Sequence, residues 1–393
     1  MPRAAGCPFD PPSRLREMRA EGPPAKVRLW DGSTPWLVTR YADQRALLAD
    51  PRISADTGLP GYPHPTPGSA ERRRYARTFI SMDDPGHSRL RRMVTAPFTV
   101  RRVEALRPVV QGIVNGLIDD MLAGPRPVDL VREFALPVPS MVICEMLGVP
   151  YADHDFFQAD SRILVNRDEP VQAQARAQEN LVGYLERLVS AKLVRPGDDV
   201  LSRVAAEQVA TGALSRRDAA AMGMLLLVAG HETTANMIAL GTLALLLHPG
   251  QLAELRDSGD PALVASTVEE LLRYLTIVHS GRRRVALADI EVGGRTIHAG
   301  DGVVLATDAA NRDEERFADP DRLDDHRDAR GHLAFGFGVH QCLGQNLARM
   351  ELQVVYGTLY RRIPGLRLAV DLDRVPFKHD AQIFGVYELP VTW

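Results

Sequence analysis

The stretch Phe335-Gly336-Phe337-Gly338-Val339-His340-Gln341-Cys342-Leu343-Gly344 sets glycines around one cysteine, just before a helical pattern that opens at Gln345. Gly336, Gly338 and Gly344 let the backbone come close to a flat ligand. The helix starting after Leu343 points its positive end at the Cys342 sulfur, which favours thiolate over thiol. Phe335 supplies an aromatic wall and His340 a donor beside the sulfur. A dinucleotide fingerprint is excluded, because Gly336-Phe337-Gly338 would need glycine at 341, where Gln341 stands. Taken alone, the loop describes a metal or redox cysteine of some kind.

The remaining composition narrows the setting. With 45% apolar and 25% charged residues, the chain of 393 residues has ordinary globular composition and enough apolar material for a large core. Its formal charge of -3 implies no general affinity for nucleic acid. Cys7, Cys144 and Cys342 cannot build a disulfide framework or a zinc knuckle, and suit a reducing cytosol. Cys144, in Met141-Val142-Ile143-Cys144, reads as a small buried residue. The first residues lack the apolar stretch of a signal peptide, so a cytoplasmic location is expected. No linker, repeat or low-complexity tract divides the chain, and residues 1–393 are expected to form one domain.

Helical periodicity dominates, so the fold class is mainly α with small β-sheets. Asp84-Pro85 reads as N-cap and first helical residue before Gly86 to Phe98. Ser215-Arg216-Arg217-Asp218 is a capping-box pattern opening a helix to His248, stopped by Pro249-Gly250. That helix would be about 51 Å long, against a radius of gyration of about 21 Å for a globule of this size, so it must traverse the molecule. Its apolar run from Ala219 to Leu247 is cut by His231 to Asn236, which leaves neither half long enough for a membrane span. Further helices are expected at about Pro261 to Tyr274 and Gln345 to Arg362. Val27 to Trp30 and Trp36 to Thr39 read as a hairpin around Asp31-Gly32. Val285 to Ile297 and Gly302 to Leu305 read as further strands, and Ser54 to Arg77 as a long loop.

In the spanning helix, Ala229 and Gly230 have no bulk, so something can press against the helix there. Glu232 and Thr233 put a carboxylate and a hydroxyl into an otherwise apolar span, where unpaired burial would cost a few kcal/mol. Thr233 bonding back to the preceding turn is the bland alternative. His231-Glu232 starts a zinc-protease motif that fails at its fifth position, Ala235. Glu270 and Arg273 lie three apart on one helix face, as do His87 and Arg91 at a spacing of four.

These motifs, in this order and over nearly the whole chain, resemble the cytochrome P450 family. Phe335, Gly338, Cys342 and Gly344 match its haem-binding signature, and Ala229-Gly230-His231-Glu232-Thr233-Thr234 its oxygen-activation motif, with Glu232 where many members carry Asp. The resemblance implies a triangular-prism haem-thiolate monooxygenase fold with a long central helix, binding haem b through the Cys342 thiolate. It implies that His87, Arg91, His340 and Arg284 meet the haem propionates, with Arg282 and Arg283 as adjacent competitors of Arg284. It implies a buried Glu270–Arg273 pair joined by an arginine from a later loop, for which Pro320-Asp321-Arg322-Leu323 nominates Arg322.

Family likeness further implies a soluble, monomeric bacterial enzyme of the actinobacterial secondary-metabolism or xenobiotic type, with no membrane or nucleic-acid partner. Thr233 and Glu232 are then the catalytic pair, positioning and delivering protons through water. Electrons are expected from a ferredoxin and its reductase, docking on a basic proximal face that includes Arg89, Arg92 and Arg349. By position in the family, Leu226, Ile277, Val278, Ile383 and Phe384 are expected to line the pocket, with Arg72-Arg73-Arg74 nearby. The lining suits a hydrophobic small molecule to be hydroxylated or epoxidised. A polyketide or macrolide intermediate is the leading expectation, with a terpenoid, steroid or xenobiotic as the alternative. A peroxide-driven oxygenase and a non-catalytic haem-binding protein are rival readings, and neither requires the Glu232–Thr233 pair.

Overall fold

Ser215 caps the central helix as its sequence requires: its hydroxyl oxygen accepts from the Asp218 N–H at 3.0 Å and the hydroxyl donates to the Asp218 carboxylate at 2.6 Å. The structure, a computed structural model, describes residues 8–72 and 78–393. Cys7, Arg73, Arg74 and the Arg72 side chain lie outside the described residues.

The helices that build the site are, in chain order, α1 (Tyr41–Ala49), α2 (Gly86–Thr95), α3 (Arg107–Ala123), α4 (Pro137–Leu147), α5 (His154–Val165), α6 (Val171–Val194), α7 (Arg216–Leu246), α8 (Pro249–Ser258), α9 (Pro261–Leu275) and α10 (Gln345–Arg362). α7 is the spanning helix. It ends at Leu246, two residues short of the expected His248, because Pro249 takes the first position of α8 and the chain bends by 107°. Among the described residues no single helix is long and apolar enough to cross a membrane. α7 packs against α4, α6 and α10, and buries apolar side chains on nearly every face. The fully buried set Leu227, Ile238, Leu240, Leu243 and Leu245 belongs to the main core, together with Val355 and Leu359 of α10. A helix apolar all round belongs in such an interior.

Small sheets flank this helical body. The largest runs β1-β2-β5-β4-β3, from Ala25–Lys26 (β1), Trp36–Val38 (β2), Ile53–Ser54 (β3), Arg282–Ala286 (β4) and Gly302–Leu305 (β5). β1 and β2 form a hairpin around the expected turn, with Gly32 at φ 82°, but the first strand is Ala25–Lys26 and the expected Val27–Trp30 is irregular, held by the Val27 N–H on the Pro35 carbonyl and the Leu29 N–H on the Ser33 carbonyl. β2 pairs with β5 in parallel, Trp36 opposite Val303, and β4 pairs with β5 antiparallel, Arg284 opposite Val303. The strands expected from Val285 to Ile297 fall into two sheets, because a bend at 287–288 separates β4 from the Ile290–Val292/Arg295–Ile297 hairpin. Within the expected 54–77 loop a short helix occupies Pro67–Arg72.

Candidate active site

The cysteine loop is shaped by contacts with the rest of the chain. Gly338 has φ +72°, and a Cβ there would lie 2.2 Å from the Leu48 carbonyl oxygen at the end of α1. Gly336, at φ +74°, faces the Arg282 guanidinium in the same way. The Cys342 N–H donates to the Phe335 carbonyl at 2.8 Å, and Arg282 donates to the Ala334 carbonyl at 2.7 Å and to the Thr307 hydroxyl at 2.8 Å. Gly344 has open space where its Cβ would stand; what it contributes is its N–H, which favours the Cys342 thiolate.

Cys342 is exposed by area, yet burial pushes its thiol up, against the opposing effects of Gly344, Arg282, Arg91 and Arg349. Both observations hold if the sulfur faces a recess walled by protein. The other wall is legible on α7. Ala229 is exposed, with Val228, Gly230 and Thr233 half-buried around it, in a helix otherwise mostly buried. The Thr233 hydroxyl donates to the Ala229 carbonyl at 2.7 Å, the back-bonded geometry considered for it as the bland alternative. Gly230 has a different reason for being glycine: a Cβ there would meet Ile143 Cγ1 of α4 at 2.8 Å. What a side chain at Gly230 would press on is therefore the protein's own core, while Ala229 stands on the open side.

His87, Arg91, Arg284 and His340 come together. The His87 and His340 rings are 4.3 Å apart between centroids. Burial pulls His340 down to about 4, with Arg284, His87 and Arg91 adding to the fall. Burial also lowers His87, whose Nδ1 is 3.4 Å from Asp84 and whose Nε2 has no protein partner. Arg91 donates to the Gln341 carbonyl at 2.6 Å. The three arginines of β4 separate by their partners. Arg282 is bound as above, Arg283 donates to the Pro63 and Ser280 carbonyls, and Arg284 donates, among the described residues, to the neighbouring Arg283 carbonyl. The carboxylates nearby are engaged, Asp83 by the Ser54 hydroxyl and the Ala55 N–H, Asp84 by the Ser88 N–H.

Glu232 borders a small cavity lined by Arg162, Asn166, Asn236, Lys378, Ile383 and Tyr387 among others. Burial raises its carboxyl, but His231, Lys378 and Arg162 outweigh that and hold it below the usual range. His231 is fully buried, its Nδ1 2.8 Å from the Leu227 carbonyl oxygen. Sequence reasoning missed Arg162 and Lys378, which reach Glu232 from α5 and from the 377–386 turn and left no local spacing to find, whereas Asn236 lies one turn further along α7 and donates to the Glu232 carbonyl at 2.7 Å. The Asn236 Oδ1 sits 1.7 Å from where a Cβ on Gly385 would be, seating the 377–386 turn on α7. The same turn is tied to the end of α5: Gln382 N–H donates to the Val165 carbonyl at 2.9 Å and Arg167 N–H to the Asp380 carbonyl at 2.8 Å.

Of the expected pocket residues, Leu226 and Ile277 are buried and Val278 and Ile383 half-buried. The Phe384 N–H donates to the Ile277 carbonyl at 2.7 Å, joining the two segments. Phe384 itself is fully buried, stacked on Phe377 at 5.8 Å and beside His279, so it backs the wall and does not line the pocket.

Two expected arginine positions are corrected. Glu270 and Arg273 do form a fully buried pair, at 2.7 and 2.8 Å. The third member is Arg327, whose Nε lies 3.3 Å from Glu270 Oε1 and whose side chain is 9% exposed. Arg322 is 66% exposed and pairs with Asp324, lending only its carbonyl to the cluster. Arg349 is no free docking charge either: it is paired with Glu269 at 2.5 Å and lies over the Phe335 ring at 4.6 Å. Arg89 and Arg92 are exposed on α2.

Comparison with known proteins bears directly on this arrangement. Residues 154–363 match the family model described as Cytochrome P450. The chain is 58% identical to Cytochrome P450 GfsF of Streptomyces halstedii, covering 100% of this chain and 95% of that protein. It is 51% identical to pentalenic acid synthase of Streptomyces avermitilis, covering 100% and 96%. The crystal structure of the mycinamicin VIII C21 methyl hydroxylase MycCI from Micromonospora griseorubida, bound to mycinamicin VIII, aligns with TM-score 0.94 at 41% identity, covering 100% of this chain and 99% of that one.

Proposed function

The chain belongs to the cytochrome P450 family of monooxygenases, and from that premise we propose that it oxygenates a macrolide- or polyketide-class secondary metabolite at an unactivated carbon. The observation that carries this reading is the small-residue opening on α7, where Ala229 is exposed and Val228 and Thr233 are half-buried on a helix otherwise mostly buried, with apolar Leu226 in the preceding turn. The likeness to MycCI, with its bound macrolide, supports the substrate class. Pentalenic acid synthase supports a second reading, a terpenoid substrate.

The residues present fit haem. His87 Nε2 is a buried nitrogen with no protein partner, and beside it Arg91, Arg284 and His340 assemble cationic or donor groups whose nearby carboxylates are already engaged. Those four would receive the two propionates, and Cys342 would supply the thiolate. Bound haem supplies electron density from the thiolate for cleaving the oxygen–oxygen bond of dioxygen. This chain's own residues supply the protons and the exclusion of water. The back-bonded Thr233 hydroxyl leaves its oxygen lone pairs facing the recess as acceptors. Glu232, held ionised beside Lys378 and Arg162, takes a proton from the small cavity and passes it inward. Electrons would come from a ferredoxin and its reductase, meeting Arg89 and Arg92 on α2.

The test is a panel of macrolides, linear polyketides, terpenoids and steroids, read by the shift of the haem absorption band and by turnover with a surrogate ferredoxin system. Band shift and hydroxylated product with the macrolides are expected. Response to terpenoids or steroids alone would replace the substrate class, and haem binding without turnover of any compound would remove the enzymatic reading.

A further inference from the structure

Without part in the site above, Glu254 of α8 meets Asp325 and His326. One ligand atom from each lies within 4.8 Å of the others. His326 Nε2 is 2.8 Å from Glu254 Oε1, and both side chains are open to solvent. Asp325 differs: it is 4% exposed, and its Oδ2 is buried with no hydrogen-bond partner. An unpartnered carboxylate oxygen in the interior is costly. A surface His–Glu hydrogen bond explains two of these residues and leaves the buried oxygen unexplained. A cation explains all three.

We propose that Glu254, Asp325 and His326 form a binding site for a divalent transition-metal cation of the zinc class. Two carboxylate oxygens and one imidazole nitrogen are a donor set suited to such an ion, and water would complete its coordination. A recess of about 340 Å³ bordered by Gly250, Gln251 and Arg322 gives the ion access from solvent. The site would fasten α8 to the segment at 325–327. Arg327, the very next residue, carries its guanidinium to Glu270. The cation is thereby structural, holding in place the loop that completes the buried Glu270–Arg273–Arg327 cluster.

The experiment is calorimetric titration of the chelator-treated haem-loaded protein with Zn²⁺ alone, repeated on His326→Ala, Asp325→Asn and Glu254→Gln. One equivalent should bind the parent protein, with binding lost in His326→Ala and weakened at least about tenfold in the two carboxylate variants. Zn²⁺ should raise the thermal midpoint of the parent by a few degrees and leave that of His326→Ala unchanged. Without zinc, Asp325→Asn should melt no lower than the parent, because the buried Oδ2 it alters makes no hydrogen bond that could be lost; Glu254→Gln, at an exposed position, serves if that variant does not fold. Absence of stoichiometric binding, or binding undiminished in His326→Ala and Glu254→Gln, would overturn the proposal.

Discussion

The hydroxyl of Thr233 donates to the carbonyl of Ala229 one turn earlier, at 2.7 Å, so its proton is engaged and its lone pairs are free. The role proposed for Thr233 is therefore that of an acceptor, positioning a proton that Glu232 would provide. Thr233→Ala should keep haem bound, yet lower the fraction of electrons appearing in product by at least about tenfold, with peroxide rising in step. Thr233→Ser keeps the acceptor and should retain most coupling. Measuring NADPH consumed, peroxide and product in the reconstituted system decides this, and equal coupling in all three proteins would remove Thr233 from the proton path.

Arg327 and Arg322 should part company on substitution. Arg327→Ala removes one partner of a buried carboxylate and should cost about 3 kcal/mol, with visible loss of haem on purification. Arg322→Ala touches an exposed pair with Asp324 and should stay within about 0.5 kcal/mol. Denaturant unfolding and the haem-to-protein ratio give both values.

Gly230 should resist even a methyl group. Gly230→Ala drives its Cβ into Ile143 and should destabilise by about 1–3 kcal/mol. If the contact with Ile143 is the cause, adding Ile143→Ala should make the double variant more stable than the two single losses predict. A thermodynamic cycle on the four proteins measures this, and strict additivity would place the strain elsewhere.

Glu351, within α10, gives a pH signature. Burial alone raises its carboxyl to about 8 from an ordinary 4.5, and Oε2 has no partner. A folded value above the unfolded one means the contribution is fully present below about pH 4.5 and is lost as pH rises through about 8. Glu351→Gln should therefore match the parent near pH 4.5 and gain on it by a few kcal/mol toward pH 8. Parallel unfolding curves across that range check it; a constant gap would mean that Glu351 is ionised in the fold.

What the sequence disclosed and what it hid divide along one physical line. The cap at Ser215, the bounds of α10 at Gln345 and Arg362, and the glycine turns around Cys342 rest on local rules of backbone geometry, and they match the structure. The errors concern which distant chain segment arrives at a residue. Arg322 and Arg327 lie five apart in one irregular loop, and only its folded path turns the second toward Glu270. Phe384 and Ile383 are neighbours, yet one faces Phe377 and the other the Glu232 cavity. Arg349 reads as a surface cation until Glu269, from another helix, meets it. Gly230 is the instructive case: absence of bulk was legible, but its cause, Ile143, lies far back in the chain.

The close approach of Gly338 to the Leu48 carbonyl bears on what holds the sulfur of Cys342 in place. The curve around Cys342 is cast by α1, by Arg282 on the Ala334 carbonyl and by the Phe335–Cys342 backbone bond. These supports come from residues scattered from 48 to 335, so the position of one atom depends on the packing of segments that never touch it. A change that loosens the end of α1 would displace the sulfur as surely as a change in the loop itself.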